Sequence, residues 1–466
     1  MKLVGAAPTG DLDLVRLLDV LTPGPTFHAE DYGVVADGVT DDTAAYQTAL
    51  AASAGGTLVA AIGTSQIDAD WAGTGTLRLP DNVTFHLPAG AKLRAIPNSL
   101  DYHAVVMFDG CTNAHITGHG TIEGENGLHL TGTGEWGYCI EMVESYNCSV
   151  SDVRLQDAHG DGLFMGFGAN NNFVIRNVVS DRNHRQGFSI CRASNGVIID
   201  CTGSNTAGTS PESGIDFEPE ATMGNVENVE LINFRAIGNA QAGIILTGQL
   251  NIVKNVRVIG GVSRDNGTYG LLLDDLTDCA VYGTDSHNNG NDGVIFFGPC
   301  TGVYEFGQVT GNTAFGVTLA AAAAGVRVTG GTISENTLDG VLVDITPDVV
   351  LSDLTMIDNG RHNINMMGAT ANPTMDGCTS VISSGATTVN HLMAPSTTGL
   401  QRTRNTFVGT GDIVKPSGTK IIYDIVNGAT VDDGVESATI ANIVSLTQAE
   451  YDALTPVATT LYVITD

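Results

Sequence analysis

A single phrase recurs along the middle of this chain and limits what it can fold into: a glycine, an apolar residue, any residue, and a second apolar residue. It reads DGLFM at 161–165, QGFSI at 186–190, SGIDF at 213–217 and AGIIL at 242–246. YGLLL, DGVIF, FGVTL and DGVLV continue it to residue 343. The glycines are Gly162, Gly187, Gly214, Gly243, Gly270, Gly293, Gly316 and Gly340, spaced 25, 27, 29, 27, 23, 23 and 24 residues apart. A drifting period near 25 in strand-rich text predicts a solenoid of stacked β-coils. The LxxLxL frame of leucine-rich repeats is missing. A repeat also accounts for the length, because 466 residues exceed the roughly 250–300 at which an ordinary single core stops growing.

A second periodicity fixes the register. Four residues before the glycine stand Asn183, Asn239, Asn266, Asn289, Asn312 and Asn336, and Asn359 continues the series where Asn363 replaces the glycine. Asparagine suits a buried turn whose amide bonds the backbone and its stacked neighbours. Ala158 and Ser210 interrupt the series beside the longest spacings, which makes this region the place to look for a site. Strand alternation sends residues one and three past each glycine inward, such as Leu163 and Met165, Phe188 and Ile190, Ile215 and Phe217. The second and fourth then face outward, among them Phe164, Asp216 and Glu218. Outward Ile245, Leu272, Ile295 and Leu342 align as an apolar stripe, expected to be covered by another subunit or a returning segment.

Composition narrows the partners. Acidic residues outnumber basic ones 51 to 20, a net charge of −31, which argues against a protein that tracks nucleic-acid phosphates. No run of about 18 apolar residues predicts a membrane span. The opening MKLVGAAPTGDLDLV lacks the apolar core of a secretory leader. Eight cysteines without CxxC pairs or zinc-ligand Cys/His spacing read as small buried apolar residues of a chain made in a reducing cytoplasm.

The segments YGVVADGVTDDTAAYQTAL (32–50), GTLRLPDNVTFHLPAGAKLRAIPNS (75–99) and NAHITGHGTIEGE (113–125) resemble the opening of pectate-lyase-superfamily right-handed parallel β-helices. The resemblance covers roughly 28–385. It implies an all-β solenoid whose open end is capped by an amphipathic helix, with Asp41 or Asp42 as N-cap. The superfamily includes lyases, hydrolases, epimerases and phage tailspikes. The last segment, SLTQAEYDALTPVATTLYVITD (445–466), resembles the closing motif of phage tail appendage proteins. The expected organisation is a docking or plug segment at 1–27 containing an amphipathic stretch at 11–21, the β-helix at 28–385, and a C-terminal β-rich appendage or trimerisation region at 386–466.

The chemistry concentrates in 157–220. Arg154, Arg176, Arg182, Arg185 and Arg192 lie beside a dense acidic group. NHRQGFSI followed by SGIDFEPE resembles the active-site stretch of polysaccharide-acting β-helix enzymes, and distantly the DRHGFN-type segment of mannuronan epimerases, whose DPHE motif is absent here. Asp216 and Glu218 on one strand place their Cα atoms roughly 6.6–7 Å apart. That suits the acid and base of inverting glycoside hydrolysis, whose carboxyls stand about 6.5–9.5 Å apart. Arg185 and Glu212 stack one coil apart and can pair. His159 and His184 occupy equivalent places in successive coils, suited to proton transfer, with Asp161 adjacent. Trp136, Phe164 and Phe167 can stack on sugar faces. The expected catalytic set is Asp216, Glu218, His184 and Asp161. The expected binding set is Arg185, Arg182, His159, Glu212, Trp136 and Phe164. Each also has a structural reading, as solvated strand carboxylates, turn-satisfying imidazoles or a stacked ion pair. No cofactor is implied, and a divalent cation held by the acids is the alternative.

Together these imply a phage tail spike or minor tail protein in the virion, a homotrimer that binds and depolymerises a host-surface polysaccharide and meets other tail proteins through its N-terminal segment. A non-catalytic adhesive tail protein and a polysaccharide lyase or epimerase are the alternatives.

Overall fold

The computed structural model describes residues 24–130, 135–320, 323–367, 370–383 and 390–409, with shorter stretches from 411 to 464. The docking segment expected at 1–27 lies outside the described residues up to position 23. The chain divides into two compact units, Met1–Asn291 and Asp292–Asp466.

In the first unit, one face of each coil is built by a parallel ladder. It runs from Ser149–Ser151 through Asn170–Arg176, Ala193–Ile199 and Val226–Ile232 to Val253–Ile259. Arg154–Gln156, Val179–Asp181, Thr202–Ser204, Arg235–Ile237 and Val262–Arg264 form a second face. The glycine phrases form the third: Ile140 pairs with Leu163, Leu163 with Phe188, Phe188 with Ile215, Ile215 with Ile244, and Ile244 with Leu271. Parallel strands need long connections, and here the other two faces of the coil supply them. The inward residues Leu163, Met165, Phe188, Ile190, Ile215, Phe217 and Ile244 are all fully buried, as alternation requires.

The glycine and asparagine series have one cause. A Cβ on Gly243 would stand 2.7 Å from Asn266 Nδ2 of the next coil and 1.9 Å from Ser263 Oγ. Only a bare Cα lets the stacked turn approach so closely. The amides then bond along the solenoid: Asn239 Nδ2 donates to Asn266 Oδ1 at 2.8 Å, and Asn266 Nδ2 to Asn289 Oδ1 at 3.0 Å. At the first interruption the Ala158 amide itself donates to Asn183 Oδ1 at 3.0 Å. At the second, Ser210 does not hold the position. Thr206 does, donating from Oγ1 to Asn239 Oδ1 at 2.9 Å, and residues 207–212 loop outward.

The helix Thr43–Ala52 caps the first coils and buries Tyr46, Ala49 and Leu50. Asp42 stands at the N-cap position, but its carboxylate accepts from the amides of Val35 and Ala36 at 2.8 and 3.0 Å. Asp41 takes the capping role, accepting from the Thr43 amide at 3.0 Å.

In the second unit, the amides of Asn312, Asn336 and Asn359 continue their own ladder, and Asn359 Nδ2 donates to Asn363 Oδ1 at 2.9 Å. Coils extend beyond the expected limit near 385. Gln401–Thr403 pairs with Lys420–Ile422, and Thr406 and Phe407 pair with Ile425 and Val426. Asn390–Met393 pairs in parallel with the preceding strand His362–Met367. Asn442–Leu446 and Thr460–Ile464 form a separate parallel pair.

Two expectations about surfaces resolve differently. All eight cysteines are buried, and none forms a disulfide. The apolar stripe is not open: Ile245, Ile295 and Leu342 are already buried within this chain, and Leu272 is half-buried. The side chains therefore give no argument for a subunit contact. Among the described residues no helix is long and apolar enough to cross a membrane.

Asn266→Ala removes the buried acceptor of the Asn239 backbone and side-chain amides and the donor from Asn266 Nδ2 to Asn289 Oδ1. It should lower the unfolding free energy by about 1–3 kcal/mol in denaturant titration. Asn255→Gly, at a half-buried position in the Val253–Ile259 strand whose φ of +50° glycine adopts freely, should change it by less, within about 0.5 kcal/mol.

Candidate functional site

Asp216 lies between inward Ile215 and Phe217, so its side chain leaves the core, yet the residue is only 1% exposed. Its strand neighbours are Ser189 and Ile245. Beside them Tyr138, Phe164, Cys191 and Met223 pack into an apolar cluster on the outside of the coil. An outward carboxylate thus finds little water, and burial drives its pKa well above the usual range, reinforced by the charge of Glu218. Gln186 Nε2 donates to Asp216 Oδ2 at 2.8 Å, and the nearby Glu218 carboxylate adds to the upward push.

Arg185 comes from the preceding coil, with Nη1 3.4 Å from Asp161 Oδ2. Burial opposes its charge, but Asp161, Tyr138, Asp216 and Glu135 outweigh that and raise its pKa. Burial also pushes the fully enclosed Asp161 up to about 7, against the pull of Arg185. Several buried polar atoms here have no hydrogen-bond partner: Tyr138 Oη, Asp161 Oδ1, Arg185 Nε, Gln186 Oε1, Ser213 Oγ and Asp216 Oδ1. Native interiors leave few such atoms, so a cluster of them marks a place where something else binds.

A cavity of about 350 Å³ opens at Arg185, walled by Tyr102, Trp136, Tyr138, Phe164 and Phe167 and edged by Glu220. Tyr138 and Phe164 stack with centroids 4.7 Å apart, and Tyr102 meets Tyr138 edge-on at 5.6 Å. Trp136 is 44% and Phe167 52% exposed. Phe167 also holds a φ of +52°, a left-handed conformation that bulky residues avoid and that is retained at functional sites.

The histidines form a column. Rings of His129 and His159 stack at 3.8 Å, and those of His159 and His184 at 5.1 Å. His103 joins the column through His129 at 5.8 Å. His184 Nε2 lies 3.0 Å from Thr209 Oγ1 of the outward loop, and Gly208 packs against its ring, where a Cβ would stand 2.1 Å from Nδ1. Glu125, His129 and His159 bring three potential ligand atoms within 4.8 Å of one another.

The structure brings Asp161, Arg185, Asp216 and Glu218 into one cluster, and Trp136 and Phe164 onto the wall beside it. Three expectations need correction. Asp216 is enclosed whereas Glu218 is half-buried, and the two lie close enough for the Glu218 charge to act on Asp216, so they do not stand as two outward carboxylates flanking a sugar. Arg185 pairs with Asp161, not Glu212. Glu212 instead closes the outward loop, accepting from the Gly208 amide at 2.6 Å and from Gln241 Nε2 at 2.9 Å. Arg182 is engaged by Asp157 and Asp181 at 2.7 and 2.6 Å, and Arg154 and Arg176 likewise pair with carboxylates. The arginine-rich text is therefore mostly charge-compensated along the coils.

Sequence reasoning missed Tyr102, Tyr138, Glu141 and the column residues Glu125, His103 and His129. Register shows why: Cys139 stands where the later coils have glycine, so the phrase is invisible there. The usable signal was the spacing of 23 residues from Gly162 back to Cys139, inside the observed period.

Residues 242–394 match the model of the right handed beta helix region, and residues 441–465 that of the phage tail tip domain. The fold is a right-handed parallel β-helix. The uncharacterized protein YclG of Bacillus subtilis (strain 168) is 27% identical over 296 residues, 57% of this chain and 48% of that protein. The match thus spans about half the length of that relative. The A-module of the Azotobacter vinelandii mannuronan C-5 epimerase AlgE6 superposes with a TM-score of 0.55 at 18% identity, over 86% of this chain and 99% of that one. Pre-mature bacteriophage phi29 gene product 12 gives 0.52 at 15%, over 90% of this chain and 59% of that one. Both likenesses are to the fold.

Glu141 offers a test of the dry outer face. It is fully buried, accepts a hydrogen bond from Tyr102 Oη, and burial raises its pKa from 4.5 to about 7. The folded chain therefore binds this proton more tightly than the unfolded chain does, and stability falls as pH rises from about 4.5 to 7. Glu141→Gln should melt higher than the parent at pH 8, by on the order of 2–3 kcal/mol in stability, with the gap closing near pH 4.5. Melting curves at the two pH values check this.

Proposed function

We propose that this chain is a phage tail spike or minor tail protein that binds a host-surface polysaccharide along the aromatic wall and hydrolyses its glycosidic bonds beside Arg185. The observation that carries the reading is the group of buried, partnerless polar atoms at the end of a groove walled by five aromatic rings. Sugar rings offer apolar faces to such walls and hydroxyls to such atoms. The match of residues 441–465 to the phage tail tip domain supports the virion setting.

Burial decides the roles. Asp216 and Asp161 are enclosed, whereas Glu218 is half-buried and reaches solvent. Glu218 is the acid that protonates the leaving glycosidic oxygen. Asp216, enclosed beside it, is a positioning residue. Arg185, held by Asp161, meets sugar hydroxyls at the groove end. Glu220, an exposed carboxylate on the wall, takes the proton of the attacking water. His184 and His159 support the site through the column and the loop contact at Thr209.

A second reading, elimination or epimerisation of a uronate, is favoured by one feature, the half-buried Arg185 guanidinium at the cavity, which could neutralise a sugar carboxylate. A purely adhesive role is the third. Assembly as a homotrimer on the virion tail belongs to the same proposal, and light scattering should return three times the chain mass.

Incubation with capsule or lipopolysaccharide of the host should release reducing ends. Glu218→Gln should cut kcat at least about 100-fold with little change in KM. Asp216→Asn should lower kcat while leaving the melting temperature nearly unchanged, since burial already favours the neutral form of Asp216. Trp136→Ala should raise KM about 3–10-fold. Products absorbing in the near ultraviolet would replace hydrolysis by elimination, and binding without product would leave adhesion.

A further inference from the structure

Three side chains that take no part in the aromatic wall converge in the first unit, and this feature does not depend on the polysaccharide reading. Glu125 and His129 lie four residues apart on a turn held to the next coil by its backbone. Gly124 N donates to Gln156 O at 2.9 Å, and Asn126 N donates to Asp157 O at 2.7 Å. His159 follows on that coil, which brings all three together although they span 35 positions.

The hydrogen bonds define which atoms remain. Glu125 Oε1 receives His103 Nε2 at 2.8 Å and His129 Nδ1 at 2.9 Å. Its other oxygen, Oε2, is buried without a partner. A histidine that gives its Nδ1 proton to a carboxylate carries the lone pair on Nε2. His129 Nε2 is likewise buried without a partner, and its side chain is only 3% exposed. Such a desolvated carboxylate and imidazole are costly to hold on hydrogen bonds alone. A cation that takes the place of the proton between Glu125 Oε1 and His129 Nδ1 removes that cost. His103, with Nδ1 3.2 Å from Leu100 O, supplies the outer hydrogen bond that orients a metal-bound carboxylate. Gly137 makes room for it, since a Cβ there would stand 2.3 Å from His103 Cε1.

The geometry points to a divalent transition-metal site of the zinc class, ligated by the Glu125 carboxylate, His129 Nδ1 and the His159 ring, residues whose ligand atoms already lie within 4.8 Å of one another, with His103 orienting the carboxylate. Two imidazoles and one carboxylate suit zinc and its neighbours, and fit calcium or magnesium poorly. The rings of His129 and His159 now stack 10° from parallel, so one turns about its soft χ2 to address a common ion. The ion would fasten the Glu125–His129 turn, which leads toward Trp136, to the coil carrying His159.

The test uses the full chain, stripped with a chelator and titrated with zinc alone in a calorimeter. One ion per chain and a higher melting temperature with zinc are expected, and cobalt should give the visible bands of a low-coordinate nitrogen/oxygen site. Glu125→Gln and His129→Gln should each weaken binding by more than about 100-fold, and His103→Gln by about 10–100-fold. Exposed His119→Ala should change nothing. No uptake by the parent chain, or equal affinity in Glu125→Gln and His129→Gln, overturns the assignment. Should the variants fail to fold, X-ray absorption of the zinc-loaded parent decides: imidazole in the first shell supports the site, and an oxygen-only shell overturns it.

Discussion

A buried asparagine amide pressed against a bare glycine Cα sets the close approach of successive coils. The contact is tight enough that any side chain on Gly162, Gly243, Gly293, Gly316 or Gly340 would collide with the amide. Asn239, Asn266, Asn312 and Asn336 each also bond the next amide along, so removing a member harms its neighbours. Backbone ladders on three faces and the apolar interior depend on that spacing, because parallel pairing over many coils tolerates no local change of pitch. Length variation is therefore expelled outward. Residues 207–212 leave the coil as a loop, and Thr206 takes the ladder position.

The same regularity creates the site. Stacked coils place every outward residue beside its equivalents one period away, so an acid on one coil is forced against whatever its neighbours carry. Around Asp216 those neighbours include Gln186, Glu218, Arg185 and an apolar cluster. Carboxylates there lose water without gaining enough partners, which raises their pKa values and leaves polar atoms unbonded. Rigid coils hold such groups in place at a cost that a flexible loop would relax. The aromatic wall lies where Tyr102, Tyr138 and Phe164 belong to successive coils and meet ring to ring.

Much of the fold was legible. Gly162 to Gly340 and Asn183 to Asn359 gave the period, the register and the inward residues, since these follow from backbone geometry alone. The continuation past 385 was not, because Gln401–Thr403 and Thr406–Val408 lack the glycine phrase while keeping the pairing. The site was legible in part. Asp161, Arg185, Asp216, Glu218, Trp136 and Phe164 were found from their unusual local text. Tyr138 and Glu141 escaped because Cys139 replaces the marker glycine. The metal-ligating character of Glu125, His129 and His159 escaped because the carboxylate and the last imidazole lie one coil apart.

Periodicity written in the sequence determined that this chain coils, how far apart its turns lie, and which face of each strand seeks the interior. Only the folded molecule decided that outward does not mean wet. The neighbours that close over Asp216 and the ion pair that draws Arg185 to Asp161 instead of Glu212 arise between side chains a coil apart. Alternation fixes the direction in which a residue points. Solvation and partnership depend on the whole surface assembled around it, and that surface exists only once the coils are stacked.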